Sequence, residues 1–375
     1  MRGFVRYFRG HLLWLLGNAL ALAAFFLLRT QRSVMNAVSG GFSMPLERAL
    51  GRLCAYVPFS VAELYYAAAV IFLAVFLVRS VVLIARAEYK REMLLRRCFL
   101  LVNVVLTVYA VFCLLWGVNF YADDFCDKSG VYPEAVAYDD LLAVTTFFAE
   151  RAAECADAVP RNAYGVCALS RQEMLAKAPS LYNAMYDEFP FLYIPVDPIP
   201  KGIICSKIMS AMNVTGLYFP FTGESNLNMD FPTALFPATV AHELAHRRGI
   251  ASEQQCNFLA VLAATRSDDP AYRYSGWLLG YIHLSNALYT ANPEAWTALR
   301  ASLPASMDMD LRVESAYWAQ YEGRVSEASG KAYDAMLKSY GDALGMRSYG
   351  AVVDLLVAYY KNTIFPWNIF QPSPS

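Results

Sequence analysis

Long uninterrupted apolar stretches dominate the first third of the chain. Three of them cover residues 11–28, 62–85 and 99–121, approximately. Each is close to the ~20 residues that an α-helix needs to cross the hydrocarbon core of a bilayer. We therefore predict three membrane-spanning helices. Two alternatives stay open: the first stretch follows three arginines, as a signal peptide would, and all three could be buried helices of a soluble protein.

After the third stretch the apolar positions recur at helical spacing instead of running together. "YDDLLAVTTFFAERAAECA" (138–156) and "RQEMLAKAPSLYNAMYDEF" (171–189) each predict an amphipathic helix. "GLYFPFTGESNLNM" (216–229) is β-prone at first and rich in Gly and Asn later, which predicts a strand followed by a turn. The predicted fold is mainly α, with a membrane domain over 1–121 and a mostly helical domain over 122–375.

The charge distribution separates the same two parts. The chain is 57% hydrophobic and only 17% charged, which suits neither an average soluble protein nor an all-membrane one. Residues 1–121 contain 13 Lys and Arg against 4 Asp and Glu, whereas the remainder contains 18 against 28. Cytoplasmic loops carry the excess of Lys and Arg, and here that excess precedes the first span and joins the second to the third. We predict an extracytoplasmic C-terminal domain, a lipid bilayer as partner, and no nucleic-acid partner.

The segment "AHELAHRRGIASEQQCNF" (241–258) holds two of the chain's four histidines. His242 and His246 are four residues apart and share one face of a helix, where two imidazoles can bind one Zn²⁺. Glu243 lies beside them as the general base expected in an HExxH motif. The alternative is an ordinary helix with two surface histidines and a glutamate that forms an ion pair.

Glu253 is the predicted third ligand. On one straight helix it would lie roughly 10 Å beyond His246 along the axis, too far for zinc bonds of about 2 Å. Gly249 can end the first helix in a left-handed conformation, and Ser252 with Gln255 three residues later fits a capping box that starts a second helix. Glu253 then returns toward the histidines, and three protein ligands leave the open position typical of catalytic zinc.

Two neighbours of Glu253 bear on the kind of site. Asn257, four residues later, lies on the same helix face as Glu253. Cys256 could be a fourth ligand, which would close the site as in structural zinc centres. We favour core packing for this cysteine.

The motif and several other stretches resemble known families. "HELAHRRGIASEQQCNF" is similar to the gluzincin arrangement, in which HExxH is followed by a glutamate ligand on an ExxxD-type helix, although Asn257 replaces that aspartate. The resemblance implies that Asn257 hydrogen-bonds a ligating histidine and orients it. "VPFSVAELYY", "MSAMNVTGLYFPFTGESNLNMDFP" and "SYGAVVDLLVAYY" resemble the domain-of-unknown-function 3810 family of bacterial membrane proteins. The resemblance covers nearly the whole chain and implies a membrane-anchored domain similar to zinc peptidases.

Four further residues are candidates for a substrate cleft. In zincin-like enzymes an edge strand pairs with an extended substrate, so Tyr218, Glu224 and Asn226 would line the cleft if 216–228 is that strand. The alternative is a structural turn. His283 could stabilise an oxyanion or be a core histidine. Other oxyanion donors that the sequence does not rank are Tyr317 and Tyr321.

These patterns together predict a membrane-anchored zinc metallopeptidase. Glu243 would activate a zinc-bound water for hydrolysis of a peptide bond, with one Zn²⁺ per chain and a peptide or protein as substrate. Two alternatives remain: a non-catalytic membrane protein that holds the metal for structure or partner binding, and a zinc hydrolase of a non-peptide amide in the cell envelope. Glu243 favours catalysis, because a purely structural site does not need it.

Overall fold

The computed structural model describes residues 2–340 and 348–364. Within them, three helices are long and apolar enough to cross a membrane, over Tyr7–Leu28, Val61–Arg86 and Lys90–Leu115. This confirms three candidate spans at the N-terminus. The helices of this part are α1 (Arg2–Leu28), α2 (Arg32–Val38), α3 (Met44–Cys54), α4 (Val61–Arg86) and α5 (Lys90–Leu115).

Helix α5 differs from its predicted bounds of 99–121 at both ends. It begins at Lys90, because long basic side chains can continue a helix while their charged ends reach water. It ends at Leu115, and a 3₁₀ turn over Gly117–Phe120 follows. Trp116 leaves the membrane helix to pack against the C-terminal domain, where it contacts Tyr218.

Over the whole chain helices hold 71% of the residues against 4% in strands, which confirms the mainly α prediction, and the C-terminal domain is also mostly helical. Its helices are α6 (Phe125–Ser129), α7 (Tyr138–Ala156), α8 (Arg171–Lys177), α9 (Ser206–Ala211), α10 (Phe236–Arg247), α11 (Glu253–Thr265), α12 (Pro270–Ala291), α13 (Pro293–Ala301), α14 (Ala305–Ala319), α15 (Arg324–Ser339) and α16 (Ser348–Ile364).

Helix α11 forms the centre of the domain. Every residue from Gln255 to Thr265 is buried, and α10, α12 and α16 pack around the helix. The run "FLAVLAA" is apolar on all sides, the pattern of a helix enclosed by others. Since Glu253 is the first residue of α11, the central buried helix of the domain carries the predicted third ligand.

A three-stranded sheet lies beside α10. Its strands are β1 (Lys201–Ile203), β2 (Gly216–Phe219) and β3 (Glu224–Asn228), in the order β1-β3-β2. β3 is parallel to β1 and antiparallel to β2, so β2 has one free edge. The sequence predicted a turn where β3 lies, because "ESNLN" is polar. These residues form a buried strand instead, and Ser225 Oγ donates to the Glu243 carbonyl oxygen at 2.9 Å.

The sheet is attached to the first turn of α4. The Glu224 carboxylate accepts the backbone N–H of Val61 at 3.3 Å and that of Ala62 at 2.9 Å, which satisfies free donors at the helix start. Ser60 Oγ donates to Asn226 Oδ1 at 2.7 Å. Both strand residues are buried. The prediction that they line an open cleft is therefore corrected: they connect the sheet to a membrane helix.

Helix α3 packs against the turn between β2 and β3. Gly223 has φ +64°, and its carbonyl oxygen would lie 2.6 Å from a Cβ at Gly51, so the two backbones touch. Glu47 is fully buried, and its Oε2 accepts the Tyr218 hydroxyl at 2.6 Å. The segment between the first two spans is therefore part of the C-terminal domain's packing.

Candidate metal centre

Two helices joined by a tight turn form the site. His242 and His246 lie one turn apart on α10, with ring centroids 4.8 Å from each other. The helix ends at Arg247, and Gly249 has φ +84°, the left-handed conformation predicted for it. Helix α11 then begins at Glu253. The chain therefore reverses between the second histidine and the glutamate, as their spacing required.

The three predicted ligands converge. His242 Nε2 lies 3.1 Å from His246 Nε2 and 3.1 Å from Glu253 Oε2. His246 Nε2 lies 3.5 Å from Glu253 Oε1. Among the described residues, these three form a group whose potential ligand atoms all lie within 4.8 Å of one another.

The hydrogen-bond partners of the two Nδ1 atoms determine the tautomers of His242 and His246. His246 Nδ1 lies 2.8 Å from the Ile250 carbonyl oxygen, which only accepts, so this nitrogen carries the proton. His242 Nδ1 lies 2.9 Å from Asn257 Oδ1, which is the contact predicted for Asn257. Both Nε2 atoms then present lone pairs to each other and to a carboxylate. While both rings are neutral, three acceptors face one point with no hydrogen between them, and either protonation of an imidazole or a bound cation satisfies them.

Cys256 lies outside this group. Its Sγ is 3.3 Å from His246 Nδ1 and 3.3 Å from the Ile250 carbonyl oxygen, on the side of the imidazole that faces away from the convergence point. The side chain is fully buried. This placement agrees with core packing and leaves three ligands rather than four.

The Glu253 carboxylate is held as an anion. Burial alone would raise its pKa, but the positive charges of His246 and His242 in their protonated forms, together with the Tyr333 hydroxyl that donates to Oε1, lower the pKa to about 2. Tyr333 belongs to α15, 80 residues further along the chain. The sequence analysis did not identify this tyrosine, and no motif around it would have distinguished it from the chain's other tyrosines.

The Glu243 side chain extends from α10 toward β2, the edge strand of the sheet. Its carboxylate accepts the backbone N–H of Tyr218, and a Cβ at Gly216 would stand 2.4 Å from Oε1. Its Oε2 is buried and has no hydrogen-bond partner among the described residues. Burial raises the pKa of Glu243 to about 8. A buried carboxylate with one unused oxygen beside a cluster of metal-type ligands is typical of a functional group rather than of a structural one.

The start of α11 differs in detail from the predicted capping box. Ser252 is the N-cap residue, but its side chain makes no cap hydrogen bond. Gln255 turns away instead: its Oε1 accepts the Phe125 backbone N–H at 2.9 Å, and its Nε2 donates to Asp124 at 2.7 Å. The capping-box prediction is therefore wrong, because a tertiary partner competes for the glutamine, although the helix starts where the pattern placed it.

The two arginines after His246 do not pair with Glu253. Arg247 Nη1 lies 2.6 Å from Asp197 Oδ1, and Arg248 Nη2 lies 2.8 Å from Asp197 Oδ2. Arg248 also lies over the Tyr182 ring, 3.8 Å from its centroid. All four side chains are buried. Both guanidinium groups are therefore paired with Asp197 rather than with Glu253.

The remaining candidates for the substrate cleft lie in different surroundings. Tyr218 is on the edge strand beside Glu243, but its hydroxyl is directed to Glu47. His283 is close enough to His242 for their charges to interact; burial lowers the pKa of His283 to about 4, and its Nε2 has no partner among the described residues. Tyr317 and Tyr321 both donate to Asp230 instead.

Comparison with known proteins gives a family and no activity. No curated protein and no solved structure matches the chain. A family model described as "Protein of unknown function (DUF3810)" matches residues 39–357, a region that contains α3 to α5 and the whole candidate metal centre. Because this match covers well over half of the 375 residues, the chain belongs to the DUF3810 family.

Proposed function

We propose that the protein is a zinc-dependent peptidase anchored in a membrane, with a domain similar to those of zincins. The observation that carries the proposal is the convergence of His242 Nε2, His246 Nε2 and the Glu253 carboxylate, with the unpartnered Oε2 of Glu243 beside them. A structural metal site needs the first three groups but not the fourth.

The donor set favours Zn²⁺ over the hard cations Mg²⁺ and Ca²⁺. Two imidazole nitrogens and one carboxylate suit Zn²⁺, whereas Mg²⁺ and Ca²⁺ prefer oxygen ligands alone. Asn257 and the Ile250 carbonyl orient His242 and His246 from behind, and Tyr333 orients Glu253. A zinc ion bound there would polarise the scissile carbonyl and lower the pKa of a water molecule toward ~7.

Glu243 is the general base in this proposal. Its pKa of about 8 in the buried site would fall beside a dication, toward the neutral range in which a general base is most effective. Glu243 accepts a proton from water, the water oxygen bonds to the carbonyl carbon, and the C–N bond breaks. The proton then passes to the leaving amine, so that one water is consumed for each bond cleaved.

The free edge of β2 supports a peptide as substrate. Thr215 bonds to Asn228 across the hairpin, and because bonding alternates along an antiparallel strand, Gly216 and Tyr218 direct their backbone groups to the side on which no described strand pairs with β2. That side faces Glu243, which accepts the Tyr218 N–H. An extended peptide added at this edge would place its backbone next to the metal ligands. The edge strand favours a peptide over a non-peptide amide.

The experiment compares metal content with cleavage. Wild type, Glu243→Gln and the exposed control Glu150→Gln are purified, analysed for zinc, and incubated with a peptide library. We expect about one zinc per chain in all three, and cleavage that falls by ~10²–10⁴-fold in Glu243→Gln only. Wild-type cleavage by Glu243→Gln, or zinc-loaded wild type that cleaves nothing in the library, would contradict the proposal.

A further inference from the structure

The metal centre lies at the ends of the membrane helices. By connectivity, α1 ends, α4 begins and α5 ends on one side of the membrane. The three candidate spans contain 22, 26 and 26 residues, which corresponds to lengths of about 33 and 39 Å. The hydrocarbon core is ~30 Å thick. Little helix therefore extends beyond the bilayer, and residues that directly follow α5 lie at headgroup depth.

Trp116 is the first residue after α5, and it contacts the site directly. Its ring centroid lies 5.8 Å from that of His246 and 5.2 Å from that of Tyr218. Trp116, Tyr218 and Ala251 form one buried cluster, to which Phe112 of α5 adds. One aromatic side chain therefore separates a metal ligand from the end of a membrane helix.

The other end of the edge strand contacts the start of α4. Phe219, the last residue of β2, has its ring centroid 5.7 Å from that of Tyr65 and 5.1 Å from that of Tyr66. Phe221 in the following turn lies 5.9 Å from Tyr65. Aromatic residues of this kind collect at membrane–water interfaces. Strand β2 therefore extends between two membrane helices, with its free edge toward Glu243.

We infer that the substrate is a peptide segment next to its own membrane anchor, an inference that rests on the proposed function. A peptide that pairs with β2 must lie at the bilayer surface, where the loops of a folded soluble protein do not readily reach. A membrane anchor places such a segment at that depth and raises its effective concentration at the strand.

The test uses two peptide libraries of the same random sequences, one bearing two palmitoyl chains at one end and the other unmodified. Two acyl chains anchor a peptide stably to a bilayer. Both libraries are added to lipid vesicles that contain the zinc-loaded protein, with Glu243→Gln as the inactive control. We expect kcat/KM, calculated from bulk concentration, to be about 10²-fold higher for the anchored library. The cuts should lie within about eight residues of the anchor, a reach of roughly 28 Å.

The positions of the cuts distinguish recognition of a segment next to the anchor from simple accumulation of peptide at the membrane. If the anchored peptides are cut at any distance from the acyl chains, or if the unmodified library is cut as fast, the inference about the substrate is overturned while the peptidase activity stands. If neither library is cut by protein that contains zinc, the proposed function fails, and the inference fails with it.

Discussion

Gly216 on the edge strand and Glu243 on α10 are in such close contact that a Cβ on the glycine would stand 2.4 Å from Oε1 of the glutamate. Gly216→Ala should therefore displace the Glu243 carboxylate without touching the three proposed metal ligands. We expect zinc content to stay at the wild-type level and cleavage to fall by ~10²-fold, since a misplacement of about 1 Å has that effect. Gly330→Ala, where a Cβ meets open space, is the control. Wild-type cleavage in Gly216→Ala would place the base elsewhere.

Glu253 and Cys256 differ sharply in their expected effect on the metal. Glu253→Gln removes the anionic oxygens that face His242 and His246, so zinc affinity should fall by more than the ~10–100-fold that loss of an orienting partner causes. Cys256→Ser leaves the three converging groups in place and should retain zinc. Competition titration with a chelator measures both variants. Strong zinc loss in Cys256→Ser alone would identify the thiol as a ligand.

Asn257 contacts the proposed ligand His242 from the side away from the convergence point. Its Oδ1 lies 2.9 Å from His242 Nδ1 and fixes the tautomer that leaves Nε2 free. Asn257→Ala should weaken zinc binding or cleavage by ~10–100-fold and should not abolish either. Asn257→Asp, which restores an acceptor and adds charge, should recover the loss. An alanine variant equal to wild type in both measurements would remove this residue from the site.

The raised pKa of Glu47 leads to a prediction of how the free energy of unfolding depends on pH. Burial raises its pKa from an ordinary value near 4.5 to about 8, against the opposing effects of the Tyr218 hydrogen bond and of Arg48. The folded state therefore binds this proton more tightly than the unfolded state does. Its contribution to the free energy of unfolding is fully present below pH 4.5 and is lost as the pH rises to about 8.

Glu47→Gln removes this titration and keeps an oxygen for the Tyr218 hydroxyl. We expect its thermal midpoint to fall less than that of wild type between pH 5.5 and pH 8.5, measured by differential scanning fluorimetry in detergent at about those pH values. The exposed variant Glu294→Gln should behave as wild type does. The same fall in Glu47→Gln as in wild type would assign the pH dependence to other groups.

Orientation in the membrane follows from the basic loop between α4 and α5. Tyr89→Cys in that loop and Tyr164→Cys in the C-terminal domain are both exposed positions, and each is made in a background in which the exposed Cys98 and Cys205 are Ser. A thiol reagent that does not cross membranes, added to intact cells, should label the cysteine at 164 and spare the one at 89. The reverse labelling would place the domain in the cytoplasm.

The spans and the two-helix turn were predictable because local physics determines them. A run of apolar residues that matches the bilayer thickness predicts a span wherever it occurs. Gly249 ends α10 because a left-handed residue there is inexpensive only for glycine. The spacing of His242, His246 and Glu253 then requires the reversal that the structure has. These are statements about neighbours in sequence, and the sequence alone determined them.

Tertiary structure decided everything that depends on a distant partner. "ESNLN" has a polar sequence that indicates a turn, but it forms a buried strand because Glu224 and Asn226 find donors at the start of α4. Gln255 leaves its predicted cap for Phe125, 130 residues away. Tyr333 reaches Glu253 from α15. A polar side chain is satisfied by whichever partner the folded chain brings within hydrogen-bonding distance, and one-dimensional patterns do not record that distance.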